Sequence, residues 1–375
     1  MEKNAIGEKV VSEMDQATKK RLNLGMIGAG NIATRHLANL EFLGGNRIAG
    51  ICDVDQGLAE QKAAANGAKV YERWEQMLDE NAGLDGLFIC TPPILRRSII
   101  EAAVARKLPF LCEKPPAQSL DEAQAIVSLL KGTDLIHSVG FNQRYAPSVD
   151  RCLELFRARQ VSLVEASVIG SPALTRNLGA DWFYIKEQGG GLFDNSVHTI
   201  DVIRYVAGEV ASVHANGTNL SVPKSDDFTI EDSMSINLRF ESGAVGCILL
   251  SWACAQRRNV LTFFGRDIQL SVSTIPPFVE GKAGNPGEAA QSLAKKFPQG
   301  PAMGRSGEVH PDRKPEDPPD PPHFEEVKVF LEAIRSGSMS GIRSDFSDAA
   351  RTMALLHAIE TSIASGNAEW VPSIH

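Results

Sequence analysis

Leu22-Asn23-Leu24-Gly25-Met26-Ile27-Gly28-Ala29-Gly30-Asn31-Ile32-Ala33 is the stretch that decides how the rest of the chain is read. A short apolar run ends in two closely spaced glycines and passes into a segment with helical spacing, from Asn31 to Leu43. At such a strand-to-helix turn Gly28 permits the tight reversal. Gly30 omits the side chain that would block a pyrophosphate, and Ala33 lets the helix approach the sheet. The opening helical amides, at Asn31 and Ile32, are then available to phosphate oxygens. Asp53 stands 20 residues beyond Ala33, behind a second apolar run. A carboxylate there accepts ribose hydroxyls and repels a 2′-phosphate, and Asp55 adds a second negative charge, so the expected cofactor is NAD, with NADP less favoured.

Working outward, apolar runs recur near Val70, at Leu84 to Thr91, at Pro109 to Pro115 and at Leu135 to Asn142. Between them lie helical patterns at 56–65, 73–80, 96–107 and 120–131. Alternation of this kind predicts a parallel sheet covered on both faces, an α/β Rossmann domain over residues 21–140. After Tyr145 one helix (149–159), one strand (161–170) and one helix (195–206) are followed by strand patterns at 209–218, 229–240, 243–252, 257–265 and 266–273. Short Asp/Gly turns between them predict an α+β domain with a large, mostly antiparallel open sheet, over 141–375. Residues 1–20 read as a polar arm. Residues 274–322 read as a Pro/Gly-rich insertion, an arm crossing a neighbouring surface, and 323–366 as two helices of the second domain.

The chain has 375 residues and a formal charge of −8. An acidic balance with both signs mixed gives no footprint for nucleic acid or an anionic membrane, and no apolar run approaches the length of a membrane span. The charged opening residues lack a signal-peptide core, so a cytoplasmic location is expected. Of six cysteines, Cys52, Cys90 and Cys112 end strand-like apolar runs as small hydrophobes; no Cys/His spacing suits a metal.

Chemistry concentrates at three places. Thr91-Pro92-Pro93 follows one strand of the parallel sheet, where its carboxyl end meets a ligand, although the same residues also make a rigid helix-starting turn. Glu113-Lys114-Pro115 delivers a lysine at another carboxyl end, where it can donate to a substrate oxygen; alone, such a lysine is more often solvated. Gly189-Gly190-Gly191 leads to Asp194 and His198, four apart on one helical face, with Asp201 three further on. An imidazole beside a carboxylate can exchange a proton with a hydroxyl.

In order and spacing, the glycine turn, Glu113-Lys114-Pro115, the glycine run with Asp194 and His198, and the terminal helices resemble the Gfo/Idh/MocA oxidoreductase family, over roughly 22–271 and 323–366. The resemblance implies an NAD-dependent enzyme moving hydride between nicotinamide and a secondary hydroxyl or ketone of a sugar, sugar derivative or cyclitol. It implies Lys114, Asp194 and His198 as the catalytic group, with Glu113, Asn142 and Arg144 joining Gly28, Gly30, Asn31, Ile32, Asp53, Thr91, Pro92 and Lys114 at the cofactor. Trp182, Lys186 and Asn195 would line the substrate pocket with the catalytic three. Other readings are a retained NAD used for transient oxidation in glycosidic cleavage or elimination, and a sugar- or NAD-sensing protein. Arg96 departs from the family, which commonly has histidine there. A second-domain sheet needing cover on its other face predicts a homodimer or homotetramer.

Overall fold

A computed structural model describes residues 20–174, 184–188, 190–191, 196–274, 277–284, 291–297 and 317–374. The first half of the chain alternates as expected: β1 (Leu22–Ile27), α1 (Asn31–Leu43), β2 (Asn46–Cys52), α2 (Gln56–Asn66), β3 (Lys69–Tyr71), α3 (Trp74–Glu80), β4 (Gly86–Ile89), α4 (Arg96–Ala105), β5 (Phe110–Cys112), α5 (Leu120–Leu130) and β6 (His137–Val139). The six strands form one sheet in the order β3-β2-β1-β4-β5-β6, every pair parallel. This is the doubly wound order, reversing at β1, so the carboxyl ends of β1 and β4 open beside each other. Met26, Phe88 and Leu111 at its centre are fully buried, which is why these strands read as continuous apolar runs. Burial pushes the thiols of Cys52, ending β2, and Cys112, ending β5, up to about 11 and about 12.

The chain then forms α6 (Pro147–Phe156), β7 (Leu163–Ile169), α7 (Val197–Ala207), β8 (Val210–Thr218), β9 (Ser233–Phe240), β10 (Val245–Ser251), β11 (Arg258–Phe264), β12 (Ile268–Thr274), β13 (Pro277–Ala283), β14 (Gln291–Ser292) and β15 (Lys295–Lys296). These build a ten-stranded sheet, completed by the late β16 (Glu369–Trp370). Its pairs are antiparallel except β7 with β10. Alternating burial along β9 marks a sheet with one packed face. β13 was not expected inside the proline- and glycine-rich segment. It pairs with β12 over seven residues, starting at Pro277, where a missing N–H is tolerated. A Cβ on Gly281 would sit 1.9 Å from the Gln269 carbonyl oxygen, so the glycine that weakens the strand pattern is what allows the pairing.

Two final helices, α8 (Pro321–Ser336) and α9 (Phe346–Ser365), part company. The described chain divides into two compact units. Residues up to Glu113, Leu129–Gly140 and the described part of 300–345 make the first; Lys114–Ser128, the described part of 141–299, and Phe346 onward make the second. The grouping of 323–366 with the second domain is therefore corrected for α8, whose Val327, Phe330 and Leu331 join the core formed by β1, β4 and α1. Its apolar face matches that core, and it starts at Pro321, inside the presumed irregular segment, because proline suits a first helical turn. α9 packs on β8 and α7 within the second unit. Among the described residues no helix is long and apolar enough to cross a membrane.

Candidate active site

The cofactor-binding candidates of the first unit converge at the turn after β1. Gly28 has φ +95°, and a Cβ there would lie 2.6 Å from the Cys90 carbonyl oxygen, so its glycine is required by both conformation and contact. Gly30 differs: its φ of −67° is open to any residue, and a Cβ would meet nothing within 4 Å. The fold does not need a glycine at 30. The space it leaves is a cradle at the start of α1, which has no side-chain cap and no acidic residue in its first turn. Exposed Asn31 and half-buried Ile32 begin that helix.

Asp53 closes the other side. Its Oδ2 accepts from the Ala29 amide at 2.6 Å and its Oδ1 from the Asp55 amide at 2.8 Å. The carboxylate thus braces the glycine turn and keeps lone pairs for a ribose. Thr91 is buried beyond β4, and its Oγ1 has no hydrogen-bond partner among the described residues. Pro92 precedes a single 3-10 turn, Pro93–Leu95. An uncapped helix start, an open cradle and an orphaned hydroxyl fit a dinucleotide phosphate and its neighbours.

Glu113, expected at the cofactor, has its side chain engaged inside the first unit. Its side chain is buried, and Oε1 lies 2.7 Å from Nε2 of His36 on α1. A buried carboxylate needs a partner, and His36 supplies one from 77 positions away. Glu326 of α8 is buried nearby with neither oxygen partnered among the described residues. Burial first, then Glu113 and Asp320, push its pKa well above the ordinary carboxylate value. Asp320, at the start of α8, is pulled up by burial, but His323 and Arg35 overcome this and hold it at about 2.

In the second unit Lys114 is half-buried and precedes a cis bond to Pro115. His198 stands in the first turn of α7, half-buried, with the ring of Phe141 edge-on at 6.0 Å. Asp194, Asn195 and Trp182 lie outside the described residues, as do residues 1–19 and most of the proline-rich insertion.

Arg144, expected at the cofactor, is enclosed within the second unit. It is 1% exposed, and its Nε and Nη2 donate to Asp201 Oδ2 and Oδ1 at 2.7 and 2.6 Å. Nη1 lies 2.5 Å from Asp348 Oδ2, and the guanidinium sits over the Tyr205 ring. Burial opposes its charge, but Asp201 and then Asp348 raise its pKa further. A guanidinium so enclosed acts as a strut inside the second unit. Asn142 is buried in the 3-10 turn Asn142–Tyr145. Asp201 also accepts from Thr352 at 2.8 Å, and Arg204 donates to Thr352, Glu209 and the Asp348 carbonyl. These bonds tie α7, and with it His198, to α9.

Lys186, expected in the substrate pocket, has its Nζ 3.6 Å from Glu360 Oε1 on α9. Burial pushes the Glu360 carboxyl up to about 7, against the pull of Lys186. His36, Glu360, Asp348 and Thr352 gave no local sequence signal, because each matters through a distant partner; Arg96 stood out only by its residue type.

Two family models match. Residues 22–141 match the GFO_IDH_MocA oxidoreductase family with an NAD-binding Rossmann fold, and 162–271 match the GFO/IDH/MocA C-terminal domain. The uncharacterized oxidoreductase YrbE of Bacillus subtilis is 29% identical over 61% of this chain and 67% of its own length. Myo-inositol 2-dehydrogenase of Thermotoga maritima is 29% identical over 60% and 67%, respectively. The solved structure of levoglucosan dehydrogenase in complex with NADH is 22% identical, with a TM-score of 0.81 over 94% of this chain and 100% of that one, and so shares the fold. With both units matched in order, the chain belongs to the Gfo/Idh/MocA family of NAD-binding oxidoreductases.

Proposed function

We propose that this oxidoreductase is an NAD-dependent dehydrogenase of a secondary hydroxyl on a cyclic polyol: a sugar, sugar derivative or cyclitol. The observation that carries the cofactor reading is Gly30, a glycine the backbone does not require, fronting open space at an uncapped helix start. Asp53 supports NAD over NADP, since its carboxylate would repel a 2′-phosphate beside the Ala29 amide. The substrate class is supported by relatives named as inositol, glucose-6-phosphate and D-apiose dehydrogenases, each 27–29% identical.

NAD, when bound, supplies the hydride acceptor. His198 takes the hydroxyl proton as the carbinol is oxidised, and Asp194 orients the imidazole. Lys114 donates a hydrogen bond to the same oxygen as it becomes a carbonyl. The ties from α7 to α9 hold His198 in register for that transfer. Trp182, Lys186 and Asn195 line the substrate, with Lys186 balanced by Glu360. We place the enzyme in the cytoplasm, and its oligomer contact on the outer face of the large sheet, where Leu163, Val245 and Leu249 are exposed.

The test is formation of reduced nicotinamide, followed at 340 nm, with NAD and separate pools of cyclitols, aldoses, sugar acids and nucleotide sugars. Signal confined to one pool and lost in Lys114→Ala and His198→Ala is the expected result. Protein that binds NAD but turns over no pool would overturn the reading in favour of a retained cofactor or a sensor.

A further inference from the structure

Arg96 opens α4, the helix that connects β4 to β5, yet its side chain turns back to the ends of both strands. Nε and Nη2 donate to the Thr91 carbonyl at 2.9 and 2.6 Å, and Nη1 donates to the Glu113 carbonyl at 2.6 Å. The residue is 4% exposed. β4 and β5 are neighbours in the sheet, with Ile89 opposite Cys112, so the two carbonyls terminate adjacent strands. One planar guanidinium therefore staples the Thr91-Pro92 turn to the residue that immediately precedes Lys114.

We infer that Arg96 is a positioning residue of the dehydrogenase reaction, setting the Thr91 turn against the cofactor and the Glu113-Lys114 bond against the substrate oxygen. The inference rests on the function proposed above. A fork of several N–H groups in one plane is what this geometry uses. Neutral histidine has a single ring N–H, and lysine is a point charge without a plane, so neither spans both carbonyls with three bonds. Deep burial keeps water from substituting for a lost donor, and a catalytic group misplaced by about 1 Å loses on the order of 100-fold in rate.

Arg96→Lys and Arg96→Met test this in the full chain. Both variants should keep the wild-type circular dichroism, bind NADH, seen by its fluorescence, about tenfold more weakly, and lose about 100-fold in kcat with the substrate KM changed less than about threefold. Arg96→Lys should be no better than Arg96→Met, since charge without the fork does not staple. Hydrogen exchange of peptides covering 91–95 and 113–117 should quicken in both. A folded Arg96→Met variant with kcat and NADH affinity within about twofold of wild type overturns the inference, as does a fall in melting temperature alone. If the wild-type protein turns over no polyol, the dehydrogenase reading fails by itself. Exchange at 91–95 and 113–117 then decides Arg96: unchanged protection overturns the staple, and loss of protection in both peptides upholds it.

Discussion

Asp201 meets Arg144 through two parallel bonds, Nε to Oδ2 at 2.7 Å and Nη2 to Oδ1 at 2.6 Å, with both side chains 1% exposed. The pair links the turn after Phe141 to the helix that carries His198. Removing one member leaves the other charge buried. Asp201→Ala should lower stability by about 3–5 kcal/mol, read by urea unfolding. Arg144→Met combined with Asp201→Leu should recover much of that loss, because the buried guanidinium goes with its bidentate partner while Asp348 keeps Arg204. A single variant as stable as wild type would sink this account.

Gly28 and Gly30 look alike in sequence and should separate in experiment. Gly28→Ala places a Cβ 2.6 Å from the Cys90 oxygen at φ +95°, and should cost about 1–3 kcal/mol of stability. Gly30→Ala meets nothing within 4 Å, so its melting temperature should match wild type while NADH affinity falls about tenfold or more. Calorimetry of both variants, with and without NADH, makes the comparison. Equal destabilisation by the two changes would remove the case for a cradle at Gly30.

Glu360 gives the second unit a pH dependence of definite sign. Its folded value of about 7 lies above the ordinary 4.5, so the folded state retains a proton that the unfolded state releases. Its contribution is fully present below pH 4.5 and is lost as pH rises to about 7, a decline of roughly 3 kcal/mol at 1.36 kcal/mol per unit. Glu360→Gln should flatten the stability profile across this window. An unchanged slope in the variant would show that the proton is bound elsewhere.

Glu326 behaves in the same direction within the first unit. Its buried carboxyl is held neutral by burial, reinforced by Glu113 and Asp320, and neither oxygen has a partner among the described residues. Stability linked to it is present below the ordinary 4.5 and falls as pH climbs toward its raised value. Glu326→Met, similar in length and apolar, should therefore raise stability at pH 8 and raise it less at pH 4, by urea midpoints. A variant less stable at both values would mean that the carboxyl makes a contact its replacement lacks.

Val245 and Leu163 stand opposite each other on β10 and β7, exposed together on the outer face of the large sheet. If that face joins copies, Val245→Lys with Leu249→Lys should shift the mass from light scattering toward a monomer, with circular dichroism retained. An unaltered mass would place any assembly elsewhere.

Much of this was legible in the chain itself. Gly28, Gly30 and Asp53 announce their turn because a tight reversal and a helix start are set by residues next to one another, and the period of each apolar run fixes its strand or helix. β13 was hidden because Pro277 and Gly281 weaken the local pattern while the pairing partner, β12, supplies the missing order. The grouping of α8 with the first core, the His36 contact to Glu113 across 77 positions, the Arg144 contact to Asp201 across 57, and the Arg204 contact to Thr352 across 148 were decided only by tertiary packing. The sequence by itself determined the parallel sheet, its glycine turn and the residue types at the strand ends, since local conformation depends on neighbours in the chain. Which of those polar residues are locked inside was left to the fold, because a buried charge must find its partner in space, wherever the chain happens to bring one.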